Sequence, residues 1–221
     1  MDRRTFLKNL IIQTSICIIT QNVYSSLSEK DKKEIILTID DGPRKTMKKI
    51  LEDLGPNNEN PTIFYVVGKN LKDSYNKELA KIALINGHLL GNHSYSHSKF
   101  SNIKFETAKE EIERTEELIE EIHQEVKVPK TKKLFRFPYG NETEKIREYL
   151  KEQGYTLQRW DTNSNDCKHY SKNNHLSLVS ILLNCKEAKN KDIVLVHDLP
   201  ITSNYIIPFF IHSGGYKLIL P

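Results

Sequence analysis

Three cysteines in 221 residues, Cys17, Cys167 and Cys185, are too few for a scaffold built on disulfides; at most one internal bridge can form. Long apolar runs are also missing. The most apolar stretch near the N-terminus, Leu10 to Thr20, is well short of the ~20 residues that span a bilayer. Neither sign of charge dominates, with 33 Lys and Arg against 29 Asp and Glu, and Asp2, Arg3, Arg4 and Lys8 account for half of the net +4. A surplus that small and scattered excludes a nucleic-acid binder of the usual basic kind. Internal repeats, low-complexity tracts and a second-domain linker are absent as well. What remains is 38% hydrophobic, 28% charged and of mean hydropathy −0.55, which suits one soluble domain around a single core.

The first 28 residues read as an export signal: a cationic start, then the apolar run, then small residues at Ser26 and Ser28 or Val23 and Ser25 that frame a cleavage site. "DRRTFLK" resembles a twin-arginine signal with Asp2 where Ser or Thr is usual, so both that route and the general secretory route are open. An ordinary amphipathic first helix is the alternative. The expectation is a mature domain over 29–221, periplasmic, in the cell envelope or secreted in a bacterium, without a stable membrane span. Cys167 and Cys185 would then either pair in an oxidising compartment or stand as two buried thiols.

Beyond a lysine-rich spacer, β-rich runs alternate with helical patterns. "EIILTI", "PTIFYVV", "KLFRFPYG", "TLQRWDT" and "DIVLVHD" read as strands closed by turn residues. "SYNKELAKIALI" reads as a helix with Leu79, Ile82, Ala83 and Ile85 inward. The helix from Phe105 to His123 carries the stripe Ala108, Ile112, Thr115, Ile119 and Ile122. "NETEKIREYLKEQGY" predicts a helix capped by Asn141 and stopped by Gly154, and "LSLVSILLNCKEA" a further one. This alternation predicts an α/β fold with parallel strands.

Chemistry-bearing residues fall after the strands. Asp40 and Asp41 follow the first, Arg136 and Tyr139 a later one, Asp161, Asn163 and Asp166 the next, and His197 ends the last strong one. Parallel α/β folds bind ligands at the carboxyl ends of their strands, where the loops converge. His93 and His97, four apart, can aim at one ion from a helical turn, and an aspartate at a strand end can supply the negative ligand of a two-imidazole, one-carboxylate site such as zinc uses. Of two adjacent aspartates, one can ligate while the other serves as general base. Taken singly, each motif also reads as an ordinary turn or a solvated loop.

In order, "TIDDGP", "HSYSH", "RFPYG" and "LVH" resemble the motifs of the polysaccharide deacetylases, the NodB-homology or carbohydrate esterase family 4 domain, and "PTIFYVVGKNL" extends the likeness. The resemblance runs from about Glu34 to Leu220. It implies a distorted (β/α) barrel of the NodB-homology type with fewer than eight strands, and a glycan substrate. It also implies one divalent metal, Zn2+ first, held by Asp41, His93 and His97. By the same resemblance Asp40 is the base, Arg136 restrains it, the Tyr139 N–H helps bind the oxyanion and His197 is the general acid.

Departures from the pattern cluster in "NSNDC", where the family has Asp-x-x-Asp-Trp: Asn163 replaces an acid and Cys167 a tryptophan. Support for His197 then falls to Asp166 or Asp161. Ile39 and Phe137 also depart, keeping apolar character. The resemblance implies hydrolysis of N-acetyl groups on peptidoglycan or another N-acetylglucosamine polymer. O-acetyl xylan esters, cyclic amides and an inactive glycan-binding role are the other readings.

Overall fold

The computed structural model describes residues 32–171 and 175–221, so the expected export segment at residues 1–28, with Cys17, lies outside the described residues. Eight strands and six α-helices follow in chain order: β1 (Lys33–Gly42), α1 (Met47–Leu54), β2 (Ile63–Val66), α2 (Ser74–Ile85), β3 (Leu89–Asn92), α3 (Phe105–Val126), β4 (Leu134–Phe135), α4 (Glu144–Glu152), β5 (Thr156–Leu157), β6 (Thr162–Asn163), α5 (Leu178–Lys186), β7 (Ile193–His197), α6 (Ile207–His212) and β8 (Tyr216–Leu218). The sheet runs β5-β4-β3-β2-β1-β7-β6, and β8 pairs with the start of β1. Every ladder is parallel. Among the described residues no ladder joins β5 to β6, so the sheet is a curled half-barrel with fewer than eight strands in its wall. No helix of the described residues is long and apolar enough to cross a membrane.

Strand parity organises the interior. Side chains alternate across a strand, so one set of each strand faces the helices and the other faces inside the curl. Ile35, Leu37 and Ile39, with Phe64, Val66, Leu90, Val194 and Val196, pack in the large core against the helices. The opposite parity on β1 and β2 carries Ile36, Thr38 and Asp40, and Ile63 and Tyr65. Across β3, β4 and β7 the same rows read Leu89, Gly91 and His93, Leu134 and Arg136, and Ile193, Leu195 and His197. Apolar members of these rows, Ile36, Ile63 and Leu134, form their own cluster at one end. Each row therefore ends in a polar residue at the carboxyl edge. Burial on both faces also explains why β1 and β7 are nearly continuous apolar runs.

Several elements differ from the sequence expectation. In α2 the buried residues are Leu79, Ala80, Ala83 and Leu84, while Ile82 and Ile85 are exposed. Six of the seven positions from Leu79 to Ile85 are apolar, so periodicity alone does not select a face there. Helix α4 begins after Thr143, not Asn141, and the Asn141 Oδ1 instead accepts a bond from the Ser101 N–H at 2.7 Å. "TLQRWDT" is split into the two short strands β5 and β6. Cys167 is exposed and Cys185 buried, and neither is in a disulfide.

Candidate active site

Asp40 lies opposite Tyr65 of β2 and His197 of β7, so strand register alone brings it beside His197. It is 3% exposed. Its Oδ1 accepts from Arg136 Nη1 at 2.8 Å. Arg136 is itself buried, with three further bonds, to Thr38 Oγ1 (2.7 Å), the Gln158 carbonyl (3.1 Å) and the Arg159 carbonyl (3.2 Å). Its guanidinium also stacks 4.3 Å from the Tyr65 ring centre. A cation held from so many directions fixes the carboxylate it touches, because the fork geometry admits one orientation.

The next residue, Asp41, adopts a left-handed backbone, φ 71°. That costs a non-glycine residue about 1 kcal/mol or more. The neighbours that hold it there are Asn70 Nδ2, 2.9 Å from the Asp41 carbonyl, and Arg44, whose Nε donates to the same carbonyl at 3.2 Å and whose Nη2 lies 3.5 Å from Oδ2. The turn aims Asp41 Oδ1 at two imidazoles, 3.1 Å from His97 Nε2 and 3.7 Å from His93 Nε2. Burial would raise the Asp41 carboxyl, but His97 and His197 outweigh it and hold the group well below the usual carboxylate range.

His93 and His97 do not share a helical turn. Strand β3 ends at Asn92, and the loop that follows passes through left-handed residues at Ser94 (φ 62°) and His97 (φ 63°), with Ser94 Oγ accepting from the His97 N–H at 3.1 Å. His93 Nδ1 is 2.7 Å from the Arg136 carbonyl, so this nitrogen carries the proton and Nε2 presents a lone pair. Burial lowers the pKa of His93 and keeps it neutral.

Asp41, His93 and His97 thus offer three ligand atoms within 4.8 Å of one another. Asp41 Oδ1 is buried with no hydrogen-bond partner. Buried polar atoms are normally paired, so an orphaned carboxylate oxygen facing two imidazole nitrogens fits a divalent cation, and the donor set is one that zinc accepts.

His197 Nδ1 donates to Asp166 Oδ1 at 2.7 Å. The fully buried Asp166 also accepts from the Cys167 N–H (2.9 Å), the His197 N–H (2.7 Å) and Thr202 Oγ1 (2.8 Å). Asp166, Cys167 and His197 also lie close enough together to suggest a second metal cluster. The four bonds already on Asp166 leave it as the partner of an imidazolium instead. Burial would lower the His197 pKa, but the Asp166 carboxylate outweighs it and pushes it up to about 9. Asp161 does not reach this site; it accepts from the Ile193 N–H at 2.9 Å. Asn163 Oδ1 accepts from the Asn165 N–H at 2.8 Å, closing the turn that delivers Asp166.

Tyr139 also takes a left-handed backbone, φ 59°, and its 68% exposed side chain stands 4.5 Å from the His97 ring. The structure therefore gathers Asp40, Asp41, His93, His97, Arg136, Tyr139, His197 and Asp166 at one edge of the half-barrel. Thr38, Asn70 and Thr202 also hold this site; the first two lie inside "TIDDGP" and "PTIFYVVGKNL" without being singled out there, and no motif marks Thr202.

A family profile described as polysaccharide deacetylase matches residues 28–158, more than half of the chain, a span that stops short of Asp166 and His197. A peptidoglycan-N-acetylglucosamine deacetylase of Bacillus cereus is 30% identical over 67% of this chain and 51% of its own length. The chain spans 34 to 66% of the length of the first curated relatives it matches. Among solved structures, the peptidoglycan deacetylase PdaC of Bacillus subtilis superposes with a TM-score of 0.70 at 27% identity, covering 86% of this chain and 89% of that one. A family 4 carbohydrate esterase from Streptomyces lividans, solved with acetate, gives 0.70 at 25% identity, covering 85% and 92%.

Proposed function

The chain belongs to the polysaccharide deacetylase family, and we propose on that premise that it is an exported, metal-dependent deacetylase of N-acetylated glycans. The preferred substrate is peptidoglycan or another N-acetylglucosamine polymer. The observation that carries the reading is the orphaned Asp41 Oδ1 facing His93 and His97, with an Arg136-held carboxylate on one side and an Asp166-held histidine on the other.

Asp41, His93 and His97 hold the ion, proposed to be zinc; when bound it supplies Lewis acidity toward a carbonyl oxygen and makes water more acidic. The protein's own groups do the rest. Asp40, kept in one orientation by Arg136, accepts a proton from the attacking water. As negative charge gathers on the acetyl oxygen, the Tyr139 N–H donates to it, a contribution of ~3 kcal/mol for a well-aimed donor. His197, protonated and oriented by Asp166, passes its Nε2 proton to the departing amine. Acetate and a free amino sugar leave.

The test is acetate release by the zinc-loaded domain from N-acetylglucosamine oligomers, peptidoglycan and acetylated xylan, with and without a chelator. Chelator-sensitive release from an N-acetylated glycan is expected. Release from xylan alone would move the protein to ester chemistry, and no release from any substrate with zinc bound would overturn the reading.

A further inference from the structure

The residue after His197 plays no part in the chemistry above, yet its contacts converge on the loop that carries Asp40 and Asp41. Asp198 is buried. Its N–H donates to the Asp40 carbonyl at 2.9 Å. Its Oδ2 accepts from the Arg44 N–H at 2.6 Å, and its Oδ1 accepts from the Thr46 hydroxyl. One residue therefore grips the loop at positions 40, 44 and 46. Between those grips the carboxylate passes so close to Gly42 that a Cβ there would sit 3.0 Å from Oδ2. From the other side, Asn70 holds the Asp41 carbonyl and the Val67 N–H holds the Gly42 carbonyl at 2.8 Å.

Arg44 links this grip to the site. Its backbone N–H is on Asp198, while its side chain reaches back to the carbonyl and Oδ2 of Asp41. Freed from the Asp198 carboxylate, the segment from Gly42 to Thr46 would lose two of the bonds that fix its direction, and Asp41 would lose the anchored arginine beside it. A buried carboxylate is an expensive way to close a loop unless its bonds matter, since leaving two donors unmet or burying an unpaired charge both cost stability.

We propose that Asp198 is a positioning residue that fixes Asp40 and Asp41 relative to His197, tying the base and metal-ligand loop to the strand that carries the acid. It touches neither substrate nor ion; its carboxylate acts through Arg44 and Thr46, beside the backbone bond to the Asp40 carbonyl that any residue there would keep. The inference rests on the reading above: its effect on turnover on the deacetylase activity, and its effect on metal affinity only on the proposed ion site at Asp41, His93 and His97.

The experiment compares Asp198→Ala with Asp198→Asn in the full chain. Asparagine can accept from the Arg44 N–H through Oδ1 and donate to Thr46, whose hydroxyl can reverse its role. Alanine can do neither. Zinc affinity, read by competition with a chromophoric chelator, is expected to fall at least tenfold in Asp198→Ala and to stay within threefold of wild type in Asp198→Asn. Acetate release is expected to lose kcat by tenfold or more in the alanine variant, with KM within about twofold, and to recover in the asparagine variant. Circular dichroism and a thermal melt establish the folded fraction of each. Wild-type zinc affinity in a folded Asp198→Ala protein would overturn the proposal, as would an asparagine variant no better than alanine. If wild type releases no acetate while the zinc affinities still separate as expected, the deacetylase reading fails and the positioning role stands.

Discussion

Asp40 and His197 face each other across adjacent strands, each with a fixed partner of opposite kind: a buried arginine for the carboxylate, a buried carboxylate for the imidazole. Replacing Asp40 with asparagine keeps an oxygen for Arg136 but removes the proposed proton acceptor. Turnover should fall by about 10²–10⁴-fold with zinc affinity nearly unchanged, whereas His93→Ala should lose both. Equilibrium dialysis beside acetate release separates the two. Asp166→Asn is the counterpart. With the anion gone, burial of His197 is opposed far less, so its pKa falls from about 9 toward or below 6.5. Because His197 must be protonated in its proposed role as acid, the alkaline limb of the pH–rate profile should move down by about two units. A limb that stays near pH 9 would show that another group supplies the proton. At this scale the sequence was informative wherever a reactive residue sat in a recognisable run. It gave no role to Thr38, Asn70 and Asp198, although they sit inside such runs, nor to Thr202, because their meaning lies in partners far along the chain.

The elements that position these residues were legible in proportion to their length and apolar content. β1, β2 and β7 stood out as apolar runs, and the long α3 stripe from Ala108 to Ile122 is buried where the period placed it. "KLFRFPYG" and "TLQRWDT" were read as strands, but the two-residue extent of β4, β5 and β6 and the break between the last two were not legible, because two residues carry no period. The loop geometry of His93 and His97 was hidden too, since left-handed serine and histidine carry no sequence mark as glycine would. Gly91 on β3 offers a test of how tightly the rows are packed. An added Cβ would come within 2.5 Å of the Tyr65 ring, which supports Arg136. Gly91→Ala should cost about 1–3 kcal/mol in denaturant unfolding and reduce activity by displacing Tyr65 and the arginine above it. A variant as stable and active as wild type would mean that the interior yields easily.

Among the described residues, His88 is a buried titratable group with no apparent use. His88 is 2% exposed, neither ring nitrogen has a hydrogen-bond partner, and its ring stands edge-on to Phe64. Burial pushes its pKa down to about 4. The unfolded chain therefore binds a proton that the folded chain refuses between pH 6.5 and 4. The stability tied to this group is complete above pH 6.5 and is lost as pH falls toward 4, by about 3 kcal/mol. Denaturant midpoints across that range should drop for wild type and drop less for His88→Phe.

The half-barrel also ends in an unusual way. Its two outer strands, β5 and β6, are two residues long and are joined to each other by only four residues, Gln158 to Asp161. An exposed strand edge is a template on which another chain can add itself, and the hazard grows with the length of unpaired backbone. Here β5 and β6 offer two residues each, and β8, paired only with β1, three. The curl can remain unclosed, leaving its rim accessible, without inviting strand-by-strand self-association at high concentration.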